Sequence, residues 1–466
     1  MQLLKVFLFW LVAMSCSQMA FQRGFAQSAE PLARVDEGPI FIDVGAAGAR
    51  RYRVAVAPPV SESGANSGAT ELAEYGARLE GLFSFLGSFD VLPQSGFLAK
   101  PGAALRAIDY EEWRTIQAEG VIFMKVLPDS NAKYKLDMRF FDVTRKNRLV
   151  GKLFSNVAKA EVDVAIRRFA DLCVQALTGE AGFFSTRIAF VAAKKQGERK
   201  QVFTANFDGT DIEQITNNGA IHMSPSWSPD GSKLTFTSFE SGKAEIYVYN
   251  LLTQKTLRMT KSVGNNSGST WSPDTRTIAF AGSEDGKTAI YTMRSLDGGA
   301  RARLIAEGGL EVEPAYSPDG KRLAFASGRF GNPHIFVREL LTQKDTRITT
   351  AGWYNSSPAW RPDGLKLAFA GYDRDIDRYD IFVVNPDGTR MERLTLDQGD
   401  NEKPSWSPDG RYLIFQSNRA KSGRGKERGY KLYVMNKDGG NQRLLNIPLY
   451  DVSMPVWGPK RALFGE

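Results

Sequence analysis

The sequence predicts a multidomain protein, with an amino-terminal α/β domain followed by an all-β, six-bladed β-propeller that the carboxy-terminal strand closes. Three observations lead to this fold class: a turn motif recurs at nearly constant spacing, short apolar strands follow most copies, and the first third of the chain lacks the repeat. The chain has 466 residues, enough for two or more domains, and its 44 glycines suit many short strands joined by tight turns.

The turn motif consists of an aromatic residue followed by Ser-Pro-Asp-Gly or a variant of it. Proline fixes φ, aspartate bonds its own backbone and glycine accepts a positive φ, so these residues favour a tight turn. The aromatic ring supplies the large apolar surface that a blade needs to pack on its neighbour. Successive aromatic residues are 44, 45, 44, 46 and 51 positions apart, which is the length of one four-stranded blade. The six aromatic residues are Trp227, Trp271, Tyr316, Trp360, Trp406 and Trp457.

The way the ring closes follows from counting strands. The apolar run from Arg187 to Val191 has no motif before it, and the motif at Trp457 has no strands after it. The carboxy-terminal strand is therefore expected to complete the blade that begins near residue 187. Such closure removes the free sheet edges that invite aggregation.

The residues before the propeller predict a compact α/β domain at residues 27–183, with the propeller at residues 184–466. Two segments have apolar residues at helical spacing, and the others have the composition of strands. Asp109 is a candidate N-cap for a helix that carries Trp113, and Gly179 ends the last helix. The predicted elements are strands at 52–57, 89–92 and 120–127, a hairpin over 133–157, and helices at 70–86 and 161–178.

Residues 1–26 are predicted to be a cleaved secretory signal. Val6 to Met14 is an unbroken apolar run that is too short to span a bilayer, and Gly24-Phe25-Ala26 offers small residues before the cleavage point. Cys16 lacks the preceding leucine of a lipoprotein signal, so it is expected to leave with the signal peptide. The sequence therefore predicts an exported protein without a membrane span.

Composition and motifs exclude several classes of function. The net charge is +8, but 52 acidic residues are interleaved among 60 basic ones, which does not indicate a nucleic-acid partner. His222 and His334 are the only histidines and have no ligand spacing, and no nucleophile elbow or nucleotide-binding loop occurs. We therefore predict no metal site, no cofactor and no catalytic residues. Cys173 lies in an apolar helical pattern and is predicted to be buried.

Two charged segments allow more than one interpretation. Aspartates alternate from Asp373 to Asp380 like the start of a calcium loop, but Arg378 stands where such a loop needs glycine and Val384 where it needs glutamate. A solvated hairpin is the preferred interpretation. The basic run at 421–428 is interpreted as a mobile surface loop, with an anionic contact at the cell envelope as the alternative.

The signal segment, the α/β domain and the ring with Pro-x-Trp-Ser-Pro-Asp-Gly turns together resemble the TolB family. Ile40-Phe-Ile-Asp43 and Arg53-Val-Ala-Val-Ala-Pro58 are similar to the opening strands of that family, and Arg187-Ile-Ala-Phe-Val191 is similar to its entry into the propeller. The resemblance covers nearly all of the mature chain. It implies a periplasmic, monomeric, non-enzymatic scaffold that links the outer-membrane lipoprotein Pal to the inner-membrane protein TolA. The implied role is support of outer-membrane integrity and of constriction at cell division.

The alternatives are the propeller of a peptidase-like protein and a propeller that binds other envelope components. The resemblance also implies that TolA contacts the start of the mature chain, from Glu30 to Asp43. The residues assigned to this contact are Glu30, Ile40, Phe41, Ile42 and Asp43.

The resemblance further implies that Pal docks at the mouth of the propeller channel. We assign the mouth to the loops before each aromatic motif, because a ring brings equivalent loops together around one opening. Only Asn266, Glu313 and Pro314 match the family's pattern before the second and third motifs, so the contacts are expected to be adapted to the species. The candidate residues are His222, Met223, Ser224, Asn265, Asn266, Gly268, Glu311, Val312, Glu313, Asn355, Ser356, Asn401 and Glu402.

Overall fold

The computed structural model describes residues 50–62, 68–98, 108–261, 264–284, 286–396, 398–419 and 429–460. The predicted signal peptide, the predicted TolA contact at 30–43 and the basic run at 421–428 lie outside the described residues. Among the described helices, none combines the length and the apolar character that crossing a membrane requires.

The amino-terminal domain is a mixed sheet with helices on both faces. Its elements are β1 (Tyr52–Val56), β2 (Val60–Ser61), α1 (Ala69–Phe85), β3 (Phe89–Leu92), α2 (Tyr110–Thr115), β4 (Gly120–Pro128), β5 (Tyr134–Asp142), β6 (Asn147–Val157) and α3 (Val162–Thr178). The strand order is β3-β1-β4-β5-β6, with β2 beside β4. β1 is parallel to β3 and β4, whereas β4, β5 and β6 are antiparallel.

Apolar faces of the two long helices cover one side of this sheet. Phe83 of α1 and Phe169 of α3 are buried with Val54 and Met138 of the sheet, and Trp113 of α2 packs on the opposite side. The predicted helix ends are confirmed. The Asp109 carboxylate accepts a hydrogen bond from the Glu111 N–H at 3.0 Å, and Gly179 ends α3 with a φ of 73°.

Cys173 on α3 is fully buried, as its apolar pattern predicted. Burial raises the pKa of its thiol well above the ordinary value, because the charged thiolate is disfavoured away from water. The thiol therefore serves as a small apolar group in the core.

The remaining strands form six four-stranded sheets. They are β7 (Thr186–Ala193), β8 (Gln201–Asn206), β9 (Glu213–Gln214), β10 (His222–Trp227), β11 (Lys233–Ser238), β12 (Glu245–Asn250), β13 (Lys255–Arg258), β14 (Asn266–Trp271), β15 (Thr277–Glu284), β16 (Lys287–Arg294), β17 (Gly298–Ile305), β18 (Glu311–Tyr316), β19 (Arg322–Ser327), β20 (His334–Glu339), β21 (Lys344–Arg347), β22 (Tyr354–Trp360), β23 (Leu367–Asp373), β24 (Arg378–Val384), β25 (Glu392–Arg393), β26 (Asn401–Trp406), β27 (Tyr412–Ser417), β28 (Lys431–Asn436), β29 (Arg443–Leu444) and β30 (Tyr450–Lys460). Blades 1 to 5 are β10–β13, β14–β17, β18–β21, β22–β25 and β26–β29, and blade 6 is β30-β7-β8-β9.

The carboxy-terminal strand closes the ring, as the strand count predicted. β30 pairs antiparallel with β7, so that Trp457 lies opposite Ile188. The first strand of each blade contacts the first strands of both neighbouring blades, and these six strands surround the axis of the ring. The predicted domain boundary at residues 183–184 falls between α3 and β7 and stays a prediction.

The motif turns have the geometry that their composition requires. The Ser228 hydroxyl donates to the Asp230 carboxylate at 2.5 Å and accepts from the Lys233 N–H at 2.9 Å, while Gly231 has a φ of 69°. In the second copy Thr275 takes the glycine position, with a φ of 64°. The aromatic residue of each motif packs against apolar residues of the preceding blade, and two of these residues also hydrogen-bond to it. Trp360, for example, donates its indole N–H to a backbone carbonyl of blade 3 at 3.0 Å.

The α/β domain packs on blades 5 and 6 at the end of the ring where the third strands finish. Phe207, directly after β8, packs against Phe85, Phe183 and Phe184. The first strand of blade 6 is β30, and it begins beside the end of β7 and the start of β8. Phe207 follows the other end of β8. The contact with the α/β domain therefore lies at the end of the blade opposite to the start of β30. The other end of the ring is therefore left open by the domain contact.

Candidate functional site

The channel mouth is the end of the ring at which the six first strands begin. The sequence placed the candidate mouth residues in loops, and this placement is wrong for all of them except Asn265. Pairing with the second strand of the blade extends to the first candidate residue, as shown by the pairs His222↔Ser238 and Asn401↔Ser417. The candidates are therefore held on strands and not on adaptable loops.

In five blades, the first candidate residue that lies on the first strand points into the protein and not into the channel. The Asn401 amide donates to the Asp380 carboxylate of blade 4 at 3.1 Å, and Asp380 also accepts from Thr395. Such a contact joins two blades. The five residues are at most 2% exposed, and they are His222, Asn266, Glu311, Asn355 and Asn401.

The spacing between a threonine and the buried polar residue could have identified most of these contacts from the sequence. In four blades, a threonine that follows the fourth strand stands six positions before the buried polar residue. The hydroxyl of that threonine binds the backbone N–H of the third strand, as Thr349 does with Ile335 at 3.0 Å. The pairs are Thr216 and His222, Thr260 and Asn266, Thr349 and Asn355, and Thr395 and Asn401. Four of the five buried residues bond to the preceding blade, and Glu311 binds Ser327 and Arg329 of its own blade. Because all five are buried in such contacts, we do not carry them into the proposed binding surface.

Both histidines of the chain belong to these contacts, which predicts how stability depends on pH. Burial lowers the pKa of His222 to about 4, and it also lowers the pKa of His334, with a smaller effect from Arg347. The pKa of each histidine is lower in the folded than in the unfolded protein. The stability that each neutral histidine contributes is therefore fully present above about pH 6.5 and is lost as the pH falls toward the folded-state pKa. Acidification from about pH 7 to about pH 5 is expected to cost about 2 kcal/mol from His222 alone.

Urea unfolding at the two pH values measures this effect. The variant His222→Asn places at this position the residue that three other blades carry there, and it should lose the His222 share of the pH dependence. The same loss of stability on acidification in the variant and the wild type would contradict the assignment.

Each first strand contains a β-bulge two positions after the buried residue described above, as Ser224 follows His222. At the bulge one residue turns toward the channel. These six residues, the collar, have positive φ values of 51° to 61°. Proline follows five of them, as the motif requires. A positive φ in a non-glycine residue costs free energy, so the strand pairing around the bulge must hold this conformation in place. The collar consists of Ser224, Gly268, Glu313, Ser357, Lys403 and Met454.

An ion pair spans part of the collar. The Glu313 carboxylate of blade 3 binds the Lys403 ammonium of blade 5 and accepts from the Ser357 N–H of blade 4 at 2.6 Å. Burial alone would raise the pKa of Glu313, but Lys403 and Ser357 together lower it. Burial alone would likewise lower the pKa of Lys403, and Glu313 raises it. Both groups are therefore charged, and the pair crosses blade 4 at the level of the collar.

An aromatic surface at the mouth of blades 4 and 5 was not among the predicted site residues. Trp353 is 47% exposed and lies beside Tyr354, whose ring meets that of Tyr379 at 6.2 Å. Tyr372 lies 5.1 Å from Tyr379, and Tyr430 of blade 5 completes the group. Aromatic residues are enriched where proteins bind partners. The sequence signal for this surface was the aromatic pair Trp353-Tyr354 where the first strand of blade 4 begins, because the other blades carry no such pair at that point.

The aspartate-rich segment is the tip of the β23–β24 hairpin, as the preferred interpretation stated. Asp373 pairs with Arg378 across the hairpin, and Asp375 is exposed. Asp380 is buried in blade 4, where its carboxylate binds Arg393 and Thr395. Across the part of the chain that the structure describes, no three His, Cys, Asp or Glu side chains converge in a way that would hold a metal ion.

A ring of six blades, a mouth with an aromatic surface and an α/β domain at the other end define the class: two-domain β-propeller proteins. A sequence model of the TolB amino-terminal domain matches residues 40–149, and one of the TolB beta propeller domain matches residues 174–461. The chain belongs to the TolB family.

Individual relatives agree with this assignment. The Tol-Pal system protein TolB of Bordetella parapertussis is 33% identical over 295 residues, which cover 63% of this chain and 64% of that protein. The chain thus spans just under two thirds of the length of this relative. A protein TolB homolog of Chlorobium luteolum is 30% identical over 90% of this chain and 92% of its own length. The crystal structure of TolB from Acinetobacter baumannii is 25% identical, with a TM-score of 0.75 over 88% of this chain and 97% of that chain.

Proposed function

We propose that this chain is a periplasmic, non-enzymatic scaffold of the Tol–Pal system that links the outer-membrane lipoprotein Pal to the inner-membrane protein TolA. In this role it supports outer-membrane integrity and constriction at cell division. Membership of the TolB family is the observation that carries the proposal, because relatives are named as Tol-Pal system proteins. The open channel mouth, away from the α/β domain, supports it as a surface on which a protein partner can dock.

Pal would bind the mouth through the predicted residues that keep some exposed surface. They include Met223, Val312, Glu313 and Glu402, which are half-buried on the first strands. The aromatic surface around Trp353 extends the site beyond the predicted residues. TolA would bind the segment at 30–43, at the start of the predicted mature chain. If Pal is to change how this segment meets TolA, Pal must bind two states of the segment with different affinities.

The proposal predicts that mature protein binds Pal from the same organism, and that Glu313→Gln weakens this binding about tenfold or more. Neutral glutamine keeps the size of the side chain but removes the ion pair with Lys403, so the collar loses its fixed arrangement. Isothermal titration calorimetry gives the Kd. Asp438→Asn is the matched control, because Asp438 is exposed in the turn after β28, at the end of the ring away from the mouth.

Deletion of residues 30–43 should abolish TolA binding and leave Pal binding intact. Failure of the wild-type protein to bind Pal would contradict the proposed function. Equal Pal affinity of Glu313→Gln and wild type would keep the function and move the site away from the collar.

A further inference from the structure

Three carboxylates lie beside the tyrosines of this aromatic surface, and we call the group the tyrosine basin. It consists of Tyr354, Tyr372, Tyr379, Tyr430, Asp377, Asp400 and Glu402. Blade 4 supplies the first three tyrosines and Asp377, and blade 5 supplies Glu402 and Tyr430, with Asp400 directly before its first strand. The basin therefore exists only because the ring places two consecutive blades side by side.

Neutral groups hold the three carboxylates of the basin. Asp377 accepts from the Tyr372 hydroxyl. Asp400 accepts from the Asn418 amide at 2.7 Å and from the Tyr379 N–H at 3.1 Å. Glu402 accepts from the Tyr430 hydroxyl at 2.6 Å and from the Gln416 amide at 3.1 Å.

These carboxylates have no cationic partner among the described residues. Asp377, Asp400 and Glu402 take part in none of the ion pairs of the described mouth. The nearby arginine and lysine side chains pair with other carboxylates. The Lys403 ammonium binds Glu313 instead. Burial, Glu402 and Asp400 together raise the pKa of Tyr379 to about 12, in keeping with a negative potential around its ring. Among the described residues, three carboxylates without an ion-pair partner thus lie beside half-buried tyrosine rings.

We propose that the tyrosine basin binds a cationic side chain, arginine or lysine, that a partner protein presents at the channel mouth. Tyrosine ring faces attract cations, and carboxylates form strong hydrogen bonds with guanidinium and ammonium groups. The same surface already holds one guanidinium on an aromatic face, because Arg374 lies 4.7 Å from the centre of the Trp353 ring. The acidic charge of the basin disfavours an anionic lipid or nucleic-acid partner.

This inference rests on the proposed function for the identity of the partner and adds the chemistry by which the mouth would recognise it. The side of the mouth that blades 4 and 5 form would bind a basic residue of the partner. The predicted mouth residues included Glu402 but none of the tyrosines, so the basin is a site that the sequence alone did not indicate.

The first test measures Pal binding to the full mature chain carrying Asp377→Asn, Asp400→Asn and Glu402→Gln together. These substitutions keep the size of each side chain and remove only the charge. The Kd for Pal is expected to rise about tenfold or more, and its dependence on salt should become weaker, because charged contacts are screened by ions. Glu240→Gln is the matched control, since Glu240 is an exposed acid in the mouth loop of blade 1.

The second test does not need Pal. Saturation-transfer NMR compares acetyl-arginine amide with acetyl-citrulline amide, a neutral molecule of nearly the same shape. Wild type should give a signal with the arginine compound only, and the triple variant should lose it. No difference between the two compounds would overturn the inference, whatever the result with Pal.

The two proposals fail in different ways. If wild type binds Pal, and the triple variant binds it equally well and gives the same NMR signal, the basin inference is overturned and the proposed function stands. If wild type does not bind Pal but distinguishes the arginine compound, the proposed function is overturned and the basin is supported as a cation site.

Discussion

Replacing Arg167 with alanine is expected to lower the free energy of unfolding by about 3–5 kcal/mol, because it removes a buried guanidinium that binds two carboxylates and leaves Asp208 only its longer, 3.9 Å contact with Arg78. Arg167 on α3 is 2% exposed and joins the two domains. Its guanidinium binds Asp208 of blade 6 at 2.8 Å and Asp163 of its own helix at 2.7 Å, and it donates to Thr210 at 3.0 Å. Urea unfolding, followed by circular dichroism, measures the loss.

Arg78→Ala provides the matched control for Arg167. Arg78 lies in α1 and contacts the same two carboxylates, Asp163 and Asp208, but its side chain is 38% exposed. Exposed ion pairs contribute little, so this variant should lose less than about 1 kcal/mol. Equal losses in the two variants would show that burial of Arg167 is not what makes its ion pairs important.

Trp457→Ala should also cost about 3–5 kcal/mol, the range for removing a buried aromatic side chain. Trp457 is 6% exposed and packs against Phe183 and Phe207, where the propeller meets the α/β domain. Its indole N–H donates to the Thr186 hydroxyl at 2.8 Å, so the substitution also removes a contact between β30 and β7. The loss appears as a lower midpoint of urea unfolding.

Trp353→Ala is the control for this tryptophan. The side chain is 47% exposed at the mouth, and its removal should change stability by less than about 1 kcal/mol. A variant that is as unstable as Trp457→Ala would contradict the view that Trp353 serves the surface and not the core.

The architecture could be predicted from the sequence because its signals are local. A turn motif with one period sets the number of blades, and the unpaired motif at Trp457 sets the way the ring closes. Likewise, Asp109 and Gly179 mark helix ends through contacts with residues a few positions away. Such contacts can be inferred without knowing which distant elements pack together.

The direction of the mouth residues could not be predicted in the same way. Side chains alternate along a regular strand, but each first strand contains a bulge that adds one residue and changes the alternation. His222 and Asn401 therefore face the protein, whereas Glu313 and Lys403 face the channel. The tyrosine basin was missed for a different reason, because it combines residues of two blades that only the ring brings together.

Closure by β30 also bears on how the molecule is made. Trp457 and Thr186 are in contact but are 271 positions apart in the chain. Bringing such distant segments together carries an entropic cost, and contacts at long sequence separation slow folding. Blade 6 contains both the first strands and the last strand of the propeller in chain order. Until β30 pairs with β7, the edge of β7 has unpaired backbone groups with which other chains can pair. The ring can therefore close only after β30 has been synthesised. Chains truncated before β30 should be prone to aggregation.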